Sequence, residues 1–146
     1  MTARLLIQLA ALFGGLGVAI GAFGAHALHD MLVKAGRFLL REMQSIKNDD
    51  NVQYLIVVEG RAAKDPRYPA NDPHNLDGPA VRQLSYSRAL SVIRLWEQAG
   101  LRFPGNLEVV AAGSGFRGAG RYTGSQEALN KRFIIQIQPK IGSIGK

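Results

Sequence analysis

A long uncharged apolar run near the N-terminus constrains this chain more than any other sequence feature. Residues 5 to 28, LLIQLAALFGGLGVAIGAFGAHAL, carry no formal charge apart from a possible one on His26, and Arg4 stands directly before them. Because about 20 residues are enough for a helix to cross a bilayer, the run is long enough to span one. It therefore predicts a membrane anchor or a secretory signal, followed by one folded part.

Two interpretations of this segment stay open. The basic start MTAR and the sequence Ala25-His26-Ala27 fit a secretory signal with an A-x-A cleavage site. A retained anchor is favoured by Gly17, Gly21 and Ala25, whose four-residue spacing forms the small-residue face through which membrane helices approach closely. The same face predicts a homodimer. A buried soluble helix fits less well, because each interior glycine costs about 1 kcal/mol relative to alanine.

The rest of the chain is basic. All 11 acidic residues lie at or after Asp30, together with 17 of the 18 lysines and arginines, so this part carries +6 of the formal charge of +7. Such a surplus favours an anionic partner, which could be nucleic acid, an acidic membrane surface or a carboxylate-rich polymer. Without cysteine there is no disulfide framework and no thiolate site, although both periplasm and cytoplasm remain open. Lys34, Arg37 and Arg41 would favour a cytoplasmic folded part by the positive-inside rule.

The pattern after the apolar run predicts one small α+β domain. A helix should run from Leu28 to near Lys47, and VQYLIVVEG should form a central strand. A loop rich in proline, asparagine and aspartate follows, and a second helix should begin near residues 77–79. The strand NLEVVAAG, a glycine-rich loop, a helical turn at SQEALN and a last strand RFIIQIQ complete the order. We expect a small sheet covered by two main helices and preceded by one hydrophobic helix.

The stretch LSYSRALSVIRLWEQAGL, residues 84 to 101, is typical of an amphipathic helix that ends at Gly100. Arg88 lies beside the apolar stripe, and the sequence places it near the start of the helix, where a cation loses roughly 0.3–1 kcal/mol to the macrodipole. This position suggests a functional role. The alternative is that Arg88 pairs with an acid such as Asp77, or packs through its alkyl stem. The apolar stripe comprises Ala89, Val92, Ile93, Trp96 and Ala99.

Four segments in order, YLIVVEG, LSYSRALSVIRLWEQAGL, LEVVAAGSG and NKRFIIQI, resemble one known family. They are similar to the domain shared by the C-terminal half of outer membrane protein A (OmpA) and the flagellar stator protein MotB. The shared features are a strand ending in V-E-G, a helix with L-S-x-x-R-A, a G-x-G and a final strand resembling N-R-R-V. The likeness spans roughly residues 28 to 138. It predicts two parts, an anchor or signal segment at residues 1–28 and an OmpA-like domain at residues 29–146. GAFGAHAL also resembles the opening of a family of small, uncharacterised multi-span membrane proteins, over the first 28 residues only.

The resemblance to OmpA and MotB implies a non-catalytic periplasmic domain that binds peptidoglycan non-covalently. In that family an aspartate after V-E-G and the helix arginine hold the diaminopimelate of the peptide. By matching position the arginine is Arg88, with Ser85 in the same motif and Asn130 and Arg132 at the start of the final strand. A guanidinium on a rigid helix can bind a carboxylate through two parallel hydrogen bonds.

The chain departs from the family pattern where the second half of that site should lie. The family writes G-H-T-D after the strand, whereas this chain has Gly60-Arg61-Ala62-Ala63, so alanine stands in place of the aspartate. Asp65, two positions along, is the best replacement, with Asp72 and Asp77 as further candidates. Val81 also replaces an asparagine of the pattern. The alternative is therefore a degenerate domain that acts as a dimeric interaction scaffold in an envelope complex without binding peptidoglycan.

Other motifs predict no further chemistry. The loop GSGFRG matches G-x-G-x-x-G, yet neither a full helix nor a suitably placed acid follows, so we expect no nucleotide cofactor. The three histidines are scattered, and the serines lack matching partners, so no metal site and no enzyme are expected. The basic, aromatic stretch GFRGAGRYTG belongs to no nucleic-acid-binding module, and we expect no nucleic-acid partner. Residues 5–25 hold no ionisable group of the kind that ion-driven stators use.

Overall fold

The central strand of the sheet is the β-branched and aromatic run that the sequence indicates. The computed structural model describes residues 16–45 and 53–140, with side chains from residue 27 onward. Strand β1 (Gln53–Gly60) pairs in parallel with β2 (Leu107–Gly113) and antiparallel with β3 (Phe133–Lys140). The strand order β2-β1-β3 confirms that β1 is central.

The helix between β1 and β2, α2 (Pro79–Gln98), begins where the sequence indicates. Gly78 is its extended N-cap, and Pro79 stands at the first helical position, where its missing N–H leaves no bond unmade. Beyond the last turn, Gly100 adopts φ +77, the left-handed conformation that ends a helix. The predicted start and stop are both confirmed.

The helix before the sheet, α1 (Leu16–Ser45), packs against α2 through Trp96. The indole Nε1 donates to the Leu32 carbonyl at 2.8 Å, and Gly36 leaves the space that the indole fills. The predicted boundary at residues 28–29 falls inside this helix, which the structure describes as far as Ser45, two residues before the predicted end near Lys47. Residues 46–52 lie outside the described part.

From residue 27 onward, α1 has one face in the core and one in solvent. Buried residues include Leu32 and Leu39, while Lys34, Arg37 and Arg41 are exposed. The three basic residues therefore belong to the solvent face of a helix in the folded part, which explains them without the positive-inside rule. Among the described helices, none is long and apolar enough to span a membrane. Residues 5–15 of the predicted span lie outside the described residues and residues 16–28 form the first part of α1, so the span stays a prediction.

One hydrophobic core joins the two helices to the sheet. The apolar stripe of α2 faces it as predicted, with Ala89, Val92 and Trp96 each at most 2% exposed. After β2, a glycine-rich loop (residues 113–123) leads to a 3-10 helix, Gly124–Asn130, which lies at the predicted helical turn. The architecture is α+β, a three-stranded sheet with two main helices, as the sequence predicts. The buried apolar set is Leu32, Val33, Ala35, Leu39, Met43, Ile56, Val58, Ala89, Val92, Trp96, Leu101 and Ile135.

Candidate functional site

Arg88 lies in the middle of α2 and not near its start. The helix begins at Pro79 and ends at Gln98, so Arg88 is its tenth residue of 20. The sequence expectation of a penalty from the helix dipole is wrong, because that effect is confined to the first and last turns. The amphipathic stretch 84–101 begins five residues after the helix does, so it gives Arg88 a position too close to the first turn.

The Arg88 side chain is exposed and lines a groove between the two helices and β3. The groove encloses about 350 Å³, and its apolar wall includes Leu28 and Leu32 of α1 and Phe133 of β3. No described side chain or carbonyl accepts a hydrogen bond from the Arg88 guanidinium, and no described acid pairs with it. A rigid helix therefore holds a cation at the rim of an apolar groove. The remaining lining residues are His29, Ser91, Val92, Leu95 and Gln98.

Asp77, the acid proposed as an alternative partner for Arg88, is engaged elsewhere. Its Oδ2 accepts from Arg82 Nε at 3.0 Å and from Arg117 Nε at 2.8 Å. Its Oδ1 accepts from the Phe116 N–H at 3.2 Å. The hydrogen bond from Arg82 is the largest of the effects that hold the pKa of Asp77 below its usual value. Asp77 thus links the start of α2 to the glycine-rich loop.

Asp65, the predicted replacement acid, is bound by its neighbour Arg67. Oδ1 accepts from Arg67 N at 2.9 Å and Nε at 3.0 Å, and Oδ2 accepts from Nη2 at 2.6 Å. These hydrogen bonds, first those from the side chain and then that from the backbone, lower the pKa of Asp65 from 3.8 to about 2. No described hydrogen bond or ion pair joins Asp65 to Arg88.

Asn130 and Arg132 meet around Tyr122. Asn130 is fully buried, accepts the Tyr122 N–H at 2.9 Å and donates to the Tyr122 carbonyl at 2.9 Å. The Arg132 guanidinium lies 4.6 Å from the Tyr122 ring centroid and donates to the Gly120 carbonyl at 2.6 Å. Both side chains therefore order the glycine-rich loop, and Arg132 directly precedes Phe133 of the groove.

Ser85 lies inside the protein. It is fully buried, its hydroxyl donates to the Val81 carbonyl at 2.9 Å, and the same oxygen accepts from the Gly115 N–H at 3.1 Å. This side chain ties α2 to the glycine-rich loop. Because Ser85 is buried, it could affect a ligand only indirectly, through the position of that loop.

A buried ion pair at the end of β1 escapes sequence reasoning. Arg61 Nε donates to Glu59 Oε1 at 2.8 Å, and both residues are at most 7% exposed. Ser114 and Gln136 also donate to the Glu59 carboxylate, while Arg61 donates to the Ala119 carbonyl. The only sequence signal is an acid in an otherwise apolar central strand, because a buried charge needs a partner.

A second missed carboxylate lies beside Ala63. Glu127 Oε1 accepts from the N–H of Lys64, the residue after Ala63, at 3.0 Å and from Arg121 Nη2 at 2.8 Å. Burial raises the pKa of Glu127, but the Lys64 N–H, Asn130 and Arg121 together bring it below its usual value. The fold thus brings a carboxylate from 63 residues along the chain close to the position where the family has its aspartate.

Comparison with known proteins identifies similarity only among solved structures. No protein-family model matches the chain, and no curated protein matches it. A crystal form of the C-terminal domain of Helicobacter pylori MotB is similar with 20% identity and a TM-score of 0.43, over 77% of this chain and 76% of that one. Another crystal structure of the same domain has 15% identity and a TM-score of 0.41, over 78% and 74% of the two chains.

Proposed function

We propose that this protein is a non-catalytic cell-envelope protein that holds peptidoglycan non-covalently, with Arg88 binding a carboxylate of diaminopimelate. The observation that carries the proposal is the position of the exposed Arg88 guanidinium on the groove, with no acid partner among the described residues. Its five N–H donors remain available to a ligand. A planar guanidinium fork matches a carboxylate, and charged hydrogen bonds of this kind are about twice as strong as neutral ones.

The groove beside Arg88 suits the rest of such a ligand. Diaminopimelate is an aliphatic chain that carries carboxylate and amine groups at its two ends. Leu28, Leu32 and Phe133 offer an apolar wall to the chain, while Arg88 takes one carboxylate at the rim. Polar groups at a groove edge fix the orientation, and the apolar wall supplies contact area.

The other predicted site residues take supporting roles in this proposal. Arg132 and Asn130 order the glycine-rich loop, and Ser85 accepts a hydrogen bond from the Gly115 N–H of the same loop. Asp65 remains the provisional acceptor for the ligand amine, with Glu127 beside Ala63 as a second carboxylate. The domain would lie in the periplasm, and residues 5–28 would serve as anchor or signal segment.

Co-sedimentation of the full chain with insoluble diaminopimelate-type peptidoglycan tests the proposal. Arg88→Ala should weaken retention about 10- to 100-fold, because a hydrogen bond to a charged group contributes roughly 1.5–3 kcal/mol. Arg94→Ala is the matched control, since Arg94 is also exposed on α2 but lies outside the groove. Equal retention of both variants and the wild type would reject the role of Arg88.

The rival function is a dimeric scaffold that has lost the ligand. It is supported by Ala63, which provides no carboxylate, and by Asp65, whose oxygens are both occupied by Arg67. A scaffold would show no sedimentation with peptidoglycan for the wild type or for either variant. Light scattering of the full chain in detergent should then give the mass of a homodimer, and a monomer would remove this alternative.

A further inference from the structure

Two aromatic rings are stacked on the surface of the loop that follows β1. The Tyr68 and His74 ring centroids lie 4.1 Å apart at an interplanar angle of 10°. Both residues are exposed, Tyr68 at 36% of its surface, and 62% of the His74 side chain is open to solvent. We call these two residues the aromatic platform. Neither ring contributes to the core, so core packing does not explain the platform.

The loop that carries the platform is built to hold it still. Asn75 is 2% exposed, and its Nδ2 donates to the carbonyls of Asp65, Tyr68 and Pro69 at 3.0 to 3.1 Å. Its Oδ1 accepts the Asp65 N–H at 2.7 Å. Asp72 caps the short 3-10 helix by accepting the N–H of His74 at 2.9 Å. One buried amide thus fixes both the platform and Asp65, which is the provisional acid of the proposed site.

The charge near the platform selects among aromatic-binding ligands. Residues 64–77 contain three acids and two bases, so this loop carries a net charge of −1 in a chain of +7. Although Arg67 lies 5.9 Å from the Tyr68 ring centroid, the three carboxylates leave the loop no net positive charge to attract the phosphates of a nucleic acid. A neutral sugar needs no such charge, and its hydroxyls can donate to carboxylates such as Asp72. The partly positive C–H groups on one face of a pyranose ring are attracted to the negative face of an aromatic ring.

We propose that the aromatic platform of Tyr68 and His74 binds a pyranose ring of the peptidoglycan glycan strand, with Asp72 accepting from a sugar hydroxyl. This inference rests on the proposed function and extends it from the peptide to the glycan of the same polymer. The outer face of His74 receives the sugar, and Tyr68 supports the imidazole from behind. Peptide and glycan would then be held by separate parts of the domain, Arg88 for the first and the platform for the second.

Calorimetric titration of the full chain with the linear tetramer of N-acetylglucosamine tests the platform alone. Tyr68→Ala and His74→Ala should each weaken binding about 3- to 10-fold, as expected for loss of an aromatic contact. Tyr68→Phe keeps the ring and should bind like the wild type, as should Arg94→Ala, a change at an exposed position on α2. Unfolding temperatures of all variants should stay close together, because both platform residues are exposed.

The outcomes separate this inference from the proposed function. Tetramer binding that depends on Tyr68, without Arg88-dependent retention on peptidoglycan, would leave the platform standing and remove the peptide site. Arg88-dependent retention without tetramer binding, or with binding that Tyr68→Ala leaves unchanged, would overturn the platform. Tyr68-dependent binding of a single-stranded DNA oligomer, with none of the tetramer, would also overturn it.

Discussion

Each acid on the loop after β1 is engaged by a nearby cationic or potentially cationic side chain. Asp65 pairs with Arg67, Asp72 with His74, and Asp77 with both Arg82 and Arg117. Arg88 differs because no described acid meets it. At the residue scale, its place on the groove distinguishes it from Arg94, which is also exposed on α2 with no described acid partner but lies outside the groove. Exposed ion pairs contribute little to stability, so an unpaired surface cation is readily retained for binding.

The exposed Asp65–Arg67 pair should give folding a small sensitivity to acid. The pKa of Asp65 is about 2 in the folded protein against a usual 3.8, so the pair stabilises the fold above pH 4. That contribution should be lost as the pH falls from about 4 to about 2. An NMR titration should place the Asp65 midpoint near 2, and Arg67→Ala should raise it toward 3.8. A midpoint near 3.8 in the wild type would contradict the pairing.

At the scale of elements, the closeness of α2 to the sheet depends on two strand-end glycines. A Cβ at Gly60 would overlap the Ser85 carbonyl, and one at Gly113 would overlap the Arg82 carbonyl and the Tyr86 N–H. These neighbours are backbone atoms of a helix and cannot rotate away. The contact positions Ser85 against the glycine-rich loop.

Substitution at Gly60 should therefore separate the helix from the sheet. Gly60→Ala should lower the free energy of unfolding by about 2–3 kcal/mol, since overpacking forces the backbone to shift. Gly105→Ala is the control, because a Cβ there meets nothing within 4 Å. Urea unfolding of both variants measures the difference. Equal stability of the two would show that the helix can move away from β1 at little cost.

At the scale of the whole molecule, the proposed function implies that the formal charge of +7 attracts the anionic groups of the cell wall. Raising the salt from about 0.05 M to about 0.5 M should weaken retention on peptidoglycan several-fold, because the screening length falls below about 5 Å. Co-sedimentation at a series of salt concentrations measures this. Binding of the uncharged sugar tetramer should stay nearly constant and serves as the control. Salt-independent retention would argue against a charge-based contact through Arg88.

Local patterns in the sequence were enough to predict the elements of this fold. The β-branched run predicted the central strand, the three- and four-residue spacing of apolar residues predicted the buried face of α2, and Pro79 and Gly100 indicated its ends. These features depend on backbone preferences and periodic burial, which consecutive residues determine. The amphipathic stretch 84–101 leaves out the first five residues of α2, so its pattern alone places Arg88 too near the helix start.

Only the tertiary structure decided which polar groups meet. Glu127 accepts from the Lys64 N–H across 63 residues, and Asp77 accepts from the Phe116 N–H across 39. Such contacts depend on how helices and loops pack over the sheet, and no local pattern encodes them. The sequence therefore determined the α+β framework and singled out Arg88. Packing decided that Arg88 has no described acid partner, that Asp65 is held by Arg67, and that Tyr68 stacks on His74.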